Sequence, residues 1–276
     1  MKIFVTGGNG FIGSHVIKLG QSMGYQMIGM RRSKSPDRIN FLSNPDWVDG
    51  DLETDFSEIL SECDAVIHLA AHGVNPKYDS WEDCFRWNVN ASLSFFNQAL
   101  NAGIKNFVIA GSCSEYGKSG EKYDYVPCSA PLEPVNAYGA SKAACSIAAM
   151  AFARENQIKL VVLRPFHIYG EGENKERFWP SLREAAINGE DFPMTPGQQI
   201  RDFTSVEIAA EKFIHYCTDA QIVSGEPEIY NLGTGKPMSL KSFAEMEWNK
   251  FSADGELQFG KISYRPNEVM RYVHKI

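Results

Sequence analysis

The six cysteines, Cys63, Cys84, Cys113, Cys128, Cys145 and Cys217, include no CxxC pair. That spacing offers no disulfide frame and reads as reduced thiols in a cytoplasmic protein, with no metal site expected. Basic charge is scarce as well: 27 Lys and Arg against 34 Asp and Glu leave a formal charge of −7. Nucleic acid and anionic membranes, which need a concentrated basic surface, are therefore not expected as main partners. Long apolar runs are missing. The stretches 65–71 and 160–163 fall far short of the roughly 18 residues that span a bilayer. Met1-Lys2 leads straight into a strand-like run, so no signal peptide is expected. Internal repeats and low-complexity segments are absent from the sequence too. What is present, 43% hydrophobic and 22% charged residues over 276 positions, is the composition of a soluble globular chain. The length suits one large domain or two sharing a core, and none of this names a function.

Short apolar segments at 2–6, 26–30, 47–48, 65–69, 107–110 and 160–163 predict strands. Helical spacing falls between several of them, at 13–23, 81–101 and 136–156. Strands alternating with helices imply βαβ crossovers and a parallel sheet covered on both faces. After Arg164 the chain becomes polar, aromatic and proline-containing, which marks the start of a smaller, more irregular lobe.

The first strand runs into Gly7-Gly8-Asn9-Gly10-Phe11-Ile12-Gly13. Glycines at 7, 10 and 13 allow a tight strand exit, close approach of backbone to a pyrophosphate, and close packing of the next helix. That helix then aims its N-terminal N–H groups at the anion. At the end of the second strand an acidic side chain would select NAD, and arginine would accommodate the 2′-phosphate of NADP. The sequence there reads Met30-Arg31-Arg32-Ser33, which favours NADP(H) over NAD(H) through Arg31 and Arg32. Asp51-Leu52 after the third strand is placed to flank the adenine. Ala70-Ala71-His72 after the fourth is placed on the nicotinamide-ribose side.

Asn136-Ala137-Tyr138-Gly139-Ala140-Ser141-Lys142 puts Tyr138 and Lys142 four apart on one helical face. An ammonium near a phenol lowers its pKa from about 10. A tyrosine so placed can exchange a proton with a sugar oxygen while hydride moves to or from nicotinamide. The fifth strand ends in Gly111-Ser112-Cys113-Ser114-Glu115-Tyr116-Gly117, which supplies a serine to polarise that oxygen.

These motifs, with DAVIHLAA (64–71), NVNAS (88–92), LRPFHIYGEGE (163–173), RDFTSVE (201–207) and YNLGTGKPMSL (230–240), resemble the extended short-chain dehydrogenases/reductases of the NAD(P)-dependent nucleotide-sugar epimerase/dehydratase group. The resemblance implies a Rossmann-type doubly wound α/β fold, with residues 1–163 binding NADP. Residues 164–276 then form mainly a nucleotide-sugar lobe, with some segments returning to the core. It implies Ser112 or Ser114 as the polarising serine, Tyr138 as acid/base and Lys142 on the nicotinamide ribose. Counting back from Tyr116 favours Ser112. The segment is one residue shorter than the usual form.

Cofactor contacts are thus expected from Gly7, Asn9, Gly10, Phe11, Ile12, Gly13, Arg31, Arg32, Asp51, Leu52, Ala70, Ala71, His72, Asn88, Tyr138, Lys142 and Pro165. Substrate contacts are expected from Ser114, His167, Arg201, Arg265 and Glu268. Arg201 matches the family's diphosphate-binding arginine, a role that suits a guanidinium. Arg265 and Glu268 resemble its late arginine-plus-acid motif. His167 stands where asparagine is usual and reads either as a ligand or as a structural histidine. Cys113 reads as a buried thiol or as an acid.

The arginine pair tilts the expected reaction towards NADPH-dependent reduction of a nucleotide-linked 4-keto-6-deoxy sugar. Epimerisation comes next, then 4,6-dehydration, for which only Glu115 of the usual acid pair is present. A non-catalytic NADP sensor is a minor alternative, since such proteins commonly lack the Tyr/Lys pair. The helices at 81–101 and 136–156 are those that build a four-helix bundle in the family's homodimers. The chain stops ten residues after Pro266, which leaves the sugar unnamed.

Overall fold

The computed structural model describes residues 1–33, 35–41, 43–74, 80–265 and 268–276. Its elements are numbered along the chain. The first six strands are β1 (Lys2–Thr6), β2 (Gln26–Arg31), β3 (Asp46–Asp49), β4 (Ala65–His68), β5 (Asn106–Ala110) and β6 (Lys159–Pro165). Short strands follow: β7 (His167–Tyr169), β8 (Phe192–Met194), β9 (Ile200–Arg201), β10 (Phe203–Ser205) and β11 (Glu228–Leu232). The last three are β12 (Met238–Ser239), β13 (Leu257–Phe259) and β14 (Arg271–Tyr272). The helices are α1 (Phe11–Ser22), α2 (Ser57–Leu60), α3 (Trp81–Phe85), α4 (Ser92–Asn101), α5 (Ala137–Asn156), α6 (Phe178–Asn188), α7 (Val206–Thr218) and α8 (Leu240–Lys250).

Seven strands form one sheet in the order β3-β2-β1-β4-β5-β6-β11, and every pairing is parallel. Alternation along β1 sends Ile3 and Val5 to one face and Phe4 to the other. Ile3 and Val5 join Val16, Ile17, Phe213 and Ile214 of α1 and α7. Phe4 joins Phe95, Phe96, Cys145 and Ala149 of α4 and α5. Both faces are thus buried, which is why the strands are apolar throughout. The fold is the doubly wound Rossmann type. Its strand order reverses between β1 and β4, where a ligand crevice opens at the strand ends.

The smaller lobe has a core of its own, with Leu182, Ala186, Met194, Ala244 and Trp248 at its centre. Phe203 and Phe243 stack there at 3.8 Å between centroids. The segment 81–101, expected as one helix, is helical throughout, as α3, a π-helical turn at Arg86–Ala91, and α4. The wide turn brings Asn88 inside, where it is buried and fully engaged. Among the described residues no helix is long and apolar enough to cross a membrane.

Candidate active site

Gly7 follows β1 at φ +64°, and a Cβ there would lie 2.8 Å from Ala70 N. A Cβ on Gly13 would lie 2.2 Å from the Gly7 carbonyl oxygen. Only glycine lets α1 begin this close to the turn. Gly10 caps α1 without a side-chain hydrogen bond, and the first turn carries no acid. The N–H groups of Phe11, Ile12 and Gly13 therefore open a helix N-terminus suited to an anion. Asn9 turns away and donates to the carbonyls of Ser35 (3.3 Å) and Pro36 (2.7 Å).

The two arginines at the end of β2 are not equivalent. Arg31 donates to Asp49 at 3.0 Å and lies over Trp47, 5.2 Å from the ring centroid. Arg32 is exposed. The Asp51 carboxylate accepts from the Glu53 N–H at 2.9 Å, and Leu52 is buried.

A buried relay shapes the end of β4. Ser92 donates to the Trp87 carbonyl (3.0 Å), so the 3.1 Å contact between Ser92 and His68 requires the proton on His68 Nε2. Nδ1 then accepts from Thr6 Oγ1 at 2.9 Å. Thr6 in turn accepts from the N–H groups of Leu69 (3.1 Å) and Ala70 (3.2 Å). Burial, aided by the charge of Lys142, pushes His68 down to about 3. Asn88 holds His72 from both sides, accepting from its N–H (2.7 Å) and donating to its carbonyl (2.9 Å). It also donates to Ser141 at 2.9 Å, and Ser141 donates to the Tyr138 carbonyl at 2.9 Å. The strand end with Ala70, Ala71 and His72 is thereby tied to the helix that carries Tyr138 and Lys142.

Asn136 caps α5 by accepting from Gly139 N at 2.8 Å. This cap sets the first turn, where Tyr138 lies. The Tyr138 side chain hydrogen-bonds Ser112. Burial pushes the phenol up to about 12, and the Ser112 bond and the Arg177 charge oppose that rise. The lowering of this phenol by Lys142, expected from the four-residue spacing, does not occur. The Lys142 ammonium donates to the Ala110 carbonyl at 2.5 Å instead.

Ser112 opens a 3-10 turn, Cys113–Glu115, as part of a capping box. Its Oγ accepts from Ser114 N (3.1 Å), and its own N–H donates to the Glu115 carboxylate (2.8 Å). That carboxylate is fully buried and also accepts from Ser146 (3.0 Å) and from Arg164 Nε (2.8 Å). Arg164 reaches on to the Tyr116 hydroxyl at 2.9 Å. Glu115 is thus locked into holding the shortened turn, and burial also pushes the Cys113 thiol up to about 12.

On the lobe side, buried Arg201 donates to Glu268 at 2.8 Å and to the Ile200 carbonyl at 3.0 Å. Arg265 is exposed, and Pro266 beside it lies outside the described residues. Pro165 ends β6, and His167 opens β7 with its Nδ1 buried and unpartnered. Burial, then the charges of Arg201 and Arg177, push His167 down to about 3. Three residues here escaped sequence reasoning. Arg177 acts electrostatically on Tyr138, His167 and Cys113. Glu173 lies 3.5 Å from Arg177. Asp202 is fully buried and accepts from Thr234 N (2.8 Å) and Gly235 N (2.9 Å), which fixes the loop after β11. Asp202 and Glu173 had a local signal, as members of the motifs RDFTSVE and LRPFHIYGEGE, and Arg177 had none. Among the described residues no metal-binding group of three side chains comes together.

The donors fit a dinucleotide. The glycine turn and the N-terminus of α1 present backbone N–H groups suited to a pyrophosphate, and the Ser112–Tyr138 pair and Lys142 stand at the neighbouring strand ends.

Comparison with known proteins agrees. The NAD dependent epimerase/dehydratase family matches residues 3–233. The chain is 27% identical to a UDP-glucose 4-epimerase of Corynebacterium glutamicum, over 89% of this chain and 79% of that one. It is 29% identical to a dTDP-6-deoxy-L-talose 4-dehydrogenase (NAD(+)) of Aggregatibacter actinomycetemcomitans, over 89% and 88%. Among solved structures, UDP-N-acetylglucosamine 4-epimerase from Methanobrevibacter ruminantium superposes with a TM-score of 0.89 at 25% identity, over 100% of this chain and 89% of that one. The chain belongs to the NAD dependent epimerase/dehydratase family.

Proposed function

We propose that this protein reduces a nucleotide-linked 4-keto-6-deoxy sugar with NADPH. The observation that carries the reading is the hydrogen-bonded Ser112–Tyr138 pair at the strand ends. The pair can pass a proton between Tyr138 and a sugar oxygen, the exchange that reduction of a ketone needs. When bound, NADPH would supply hydride to the sugar's carbonyl carbon. Tyr138 gives its hydroxyl proton to the carbonyl oxygen, and Ser112 stabilises the phenolate left behind. Solvent then returns the proton to Tyr138. Lys142 is placed to bind the nicotinamide ribose, and Arg201 and Arg177 face the substrate's diphosphate.

The exposed Arg32 favours NADP over NAD, because β2 ends with no carboxylate side chain of its own. The relative named as a dTDP-6-deoxy-L-talose 4-dehydrogenase acts at the same ring position. A locked Glu115 leaves dehydration without its acid. Epimerisation with a retained cofactor is the second reading, favoured by the relatives named as 4-epimerases. Exposed Ile147 on α5 and Trp81 on α3 are the surface we assign to a homodimer through a four-helix bundle.

The test is NADPH consumption with nucleotide-linked 4-keto sugars. Wild type should prefer NADPH to NADH at least tenfold, and Arg32→Ala should erase that preference. Tyr138→Phe should slow turnover by roughly 10²–10⁴ with NADPH affinity retained. A preference for NADH, or an active Tyr138→Phe variant, overturns the proposal.

A further inference from the structure

The last strand of the chain reaches the turn that carries Ser112. β14 runs parallel to β9 with Tyr272 opposite Arg201, and the Tyr272 hydroxyl donates to the Cys113 carbonyl at 2.6 Å. The ring is buried and tightly held. Phe166 packs against it at 5.6 Å between centroids, and a Cβ on Gly120 would lie 2.0 Å from Tyr272 Cε2. Burial pushes the Tyr272 phenol above its ordinary value, which keeps the proton on its oxygen and the hydroxyl a donor.

The Cys113 carbonyl shares a peptide unit with the N–H of Ser114, and that N–H donates to Ser112 Oγ at 3.1 Å. A peptide unit is planar, so fixing the direction of its carbonyl also fixes the direction of its N–H. A bond accepted at one end polarises the unit and strengthens the bond donated at the other. The Tyr116 N–H also reaches this carbonyl, at 3.0 Å, but from within the turn itself. Tyr272 ties the same plane to β9 and β14. With one lone pair taken by Ser114, Ser112 keeps its proton for the bond to Tyr138.

We infer that Tyr272 is a positioning residue of the reaction, orienting the Ser112 hydroxyl towards Tyr138 through the Cys113–Ser114 peptide. This rests on the role given above to the Ser112–Tyr138 pair and names what holds that pair in place. Because Tyr272 stands opposite Arg201, the same strand pair sets the serine relative to the arginine that faces the diphosphate.

The test measures turnover of a nucleotide-linked 4-keto-6-deoxy sugar with NADPH by wild type, Tyr272→Phe, Ser112→Ala and the double variant. Tyr272→Phe keeps the buried ring and removes only the hydroxyl. One neutral hydrogen bond is a factor of roughly two to ten, so kcat should fall by that much with both KM values within about twofold. Added to Ser112→Ala, the same change should slow turnover no further, because its effect passes through Ser112. Losses that multiply in the double variant overturn the assignment, as does an unchanged kcat or a loss confined to KM. If wild type reduces no keto sugar, the reductase reading fails. Amide exchange followed by nitrogen NMR decides Tyr272 in that case. The Ser114 N–H should exchange roughly two to ten times faster in Tyr272→Phe than in wild type, and an unchanged rate overturns the assignment.

Discussion

In the cofactor half, His68 uses both ring nitrogens, on Thr6 and Ser92, whereas His167 at the entrance to the lobe has a buried Nδ1 with no partner. The same contrast separates two carboxyls. Glu115 takes hydrogen bonds from Ser112, Ser146 and Arg164, while Glu173 leaves one buried oxygen unpaired. Satisfied polar networks rigidify a structure, and partly satisfied ones are unfavourable until something completes them. The networks around Glu115 and His68 are thus built to hold their own shape, whereas His167 and Glu173, like Asn9 and Gln21 in the cofactor half, each keep one buried atom unpaired.

Substitutions that strike one side only sharpen this contrast. Glu115→Gln should have the largest effect on stability. It leaves Arg164 buried without its counter-charge, which costs about 3–5 kcal/mol, read as a shift in denaturant midpoint. An unchanged midpoint would show that the network around Ser112 is not what holds the turn. Arg201→Ala should weaken a nucleoside diphosphate roughly ten- to hundredfold and leave NADPH binding intact in the same titration. Parallel losses of both would erase the division between the halves.

The last effect is on pH dependence, and at neutral pH it changes stability least from one pH unit to the next. The folded pKa of His68, about 3, lies below the ordinary 6.5, so the unfolded chain takes up the proton first on acidification. The stability it confers is complete above pH 6.5 and is lost as pH falls towards about 3. The slope is at most about 1.4 kcal/mol per pH unit. Nitrogen NMR should find His68 neutral and protonated on Nε2 at pH 5.5. A charged ring there contradicts the relay.

Legibility in the sequence follows the same boundary. Gly7, Gly10 and Gly13, and Tyr138 with Lys142, are local spacings, and their chemistry can be read without knowing the fold. The parallel sheet covered on both faces followed from the alternation of apolar runs with helices. The roles of Glu115 and Arg164 depend on a contact across 49 positions. Those of Asp202 and Thr234 span 32, and no local pattern announces either pair. The helix expected over 81–101 is present, but the π-helical turn inside it at Arg86–Ala91 was not legible, for a related reason. Its apolar spacing suits a helix throughout, but Asn88 must turn inward to hold His72 and Ser141, and the π-helical turn makes that possible. The phenol of Tyr138 shows the limit of spacing alone: four residues place Lys142 on the same face, yet its ammonium goes to Ala110.

Hydride tracing tests the reductase reading most directly. The protein is incubated with NADPH deuterated at the transferred position of nicotinamide C4 and a nucleotide-linked 4-keto-6-deoxy sugar. The expected result is deuterium at sugar C4 with one NADP released per sugar reduced, lost in Tyr138→Phe. Deuterium retained on the cofactor, with the 4-keto sugar unchanged and no NADPH oxidised, would contradict it.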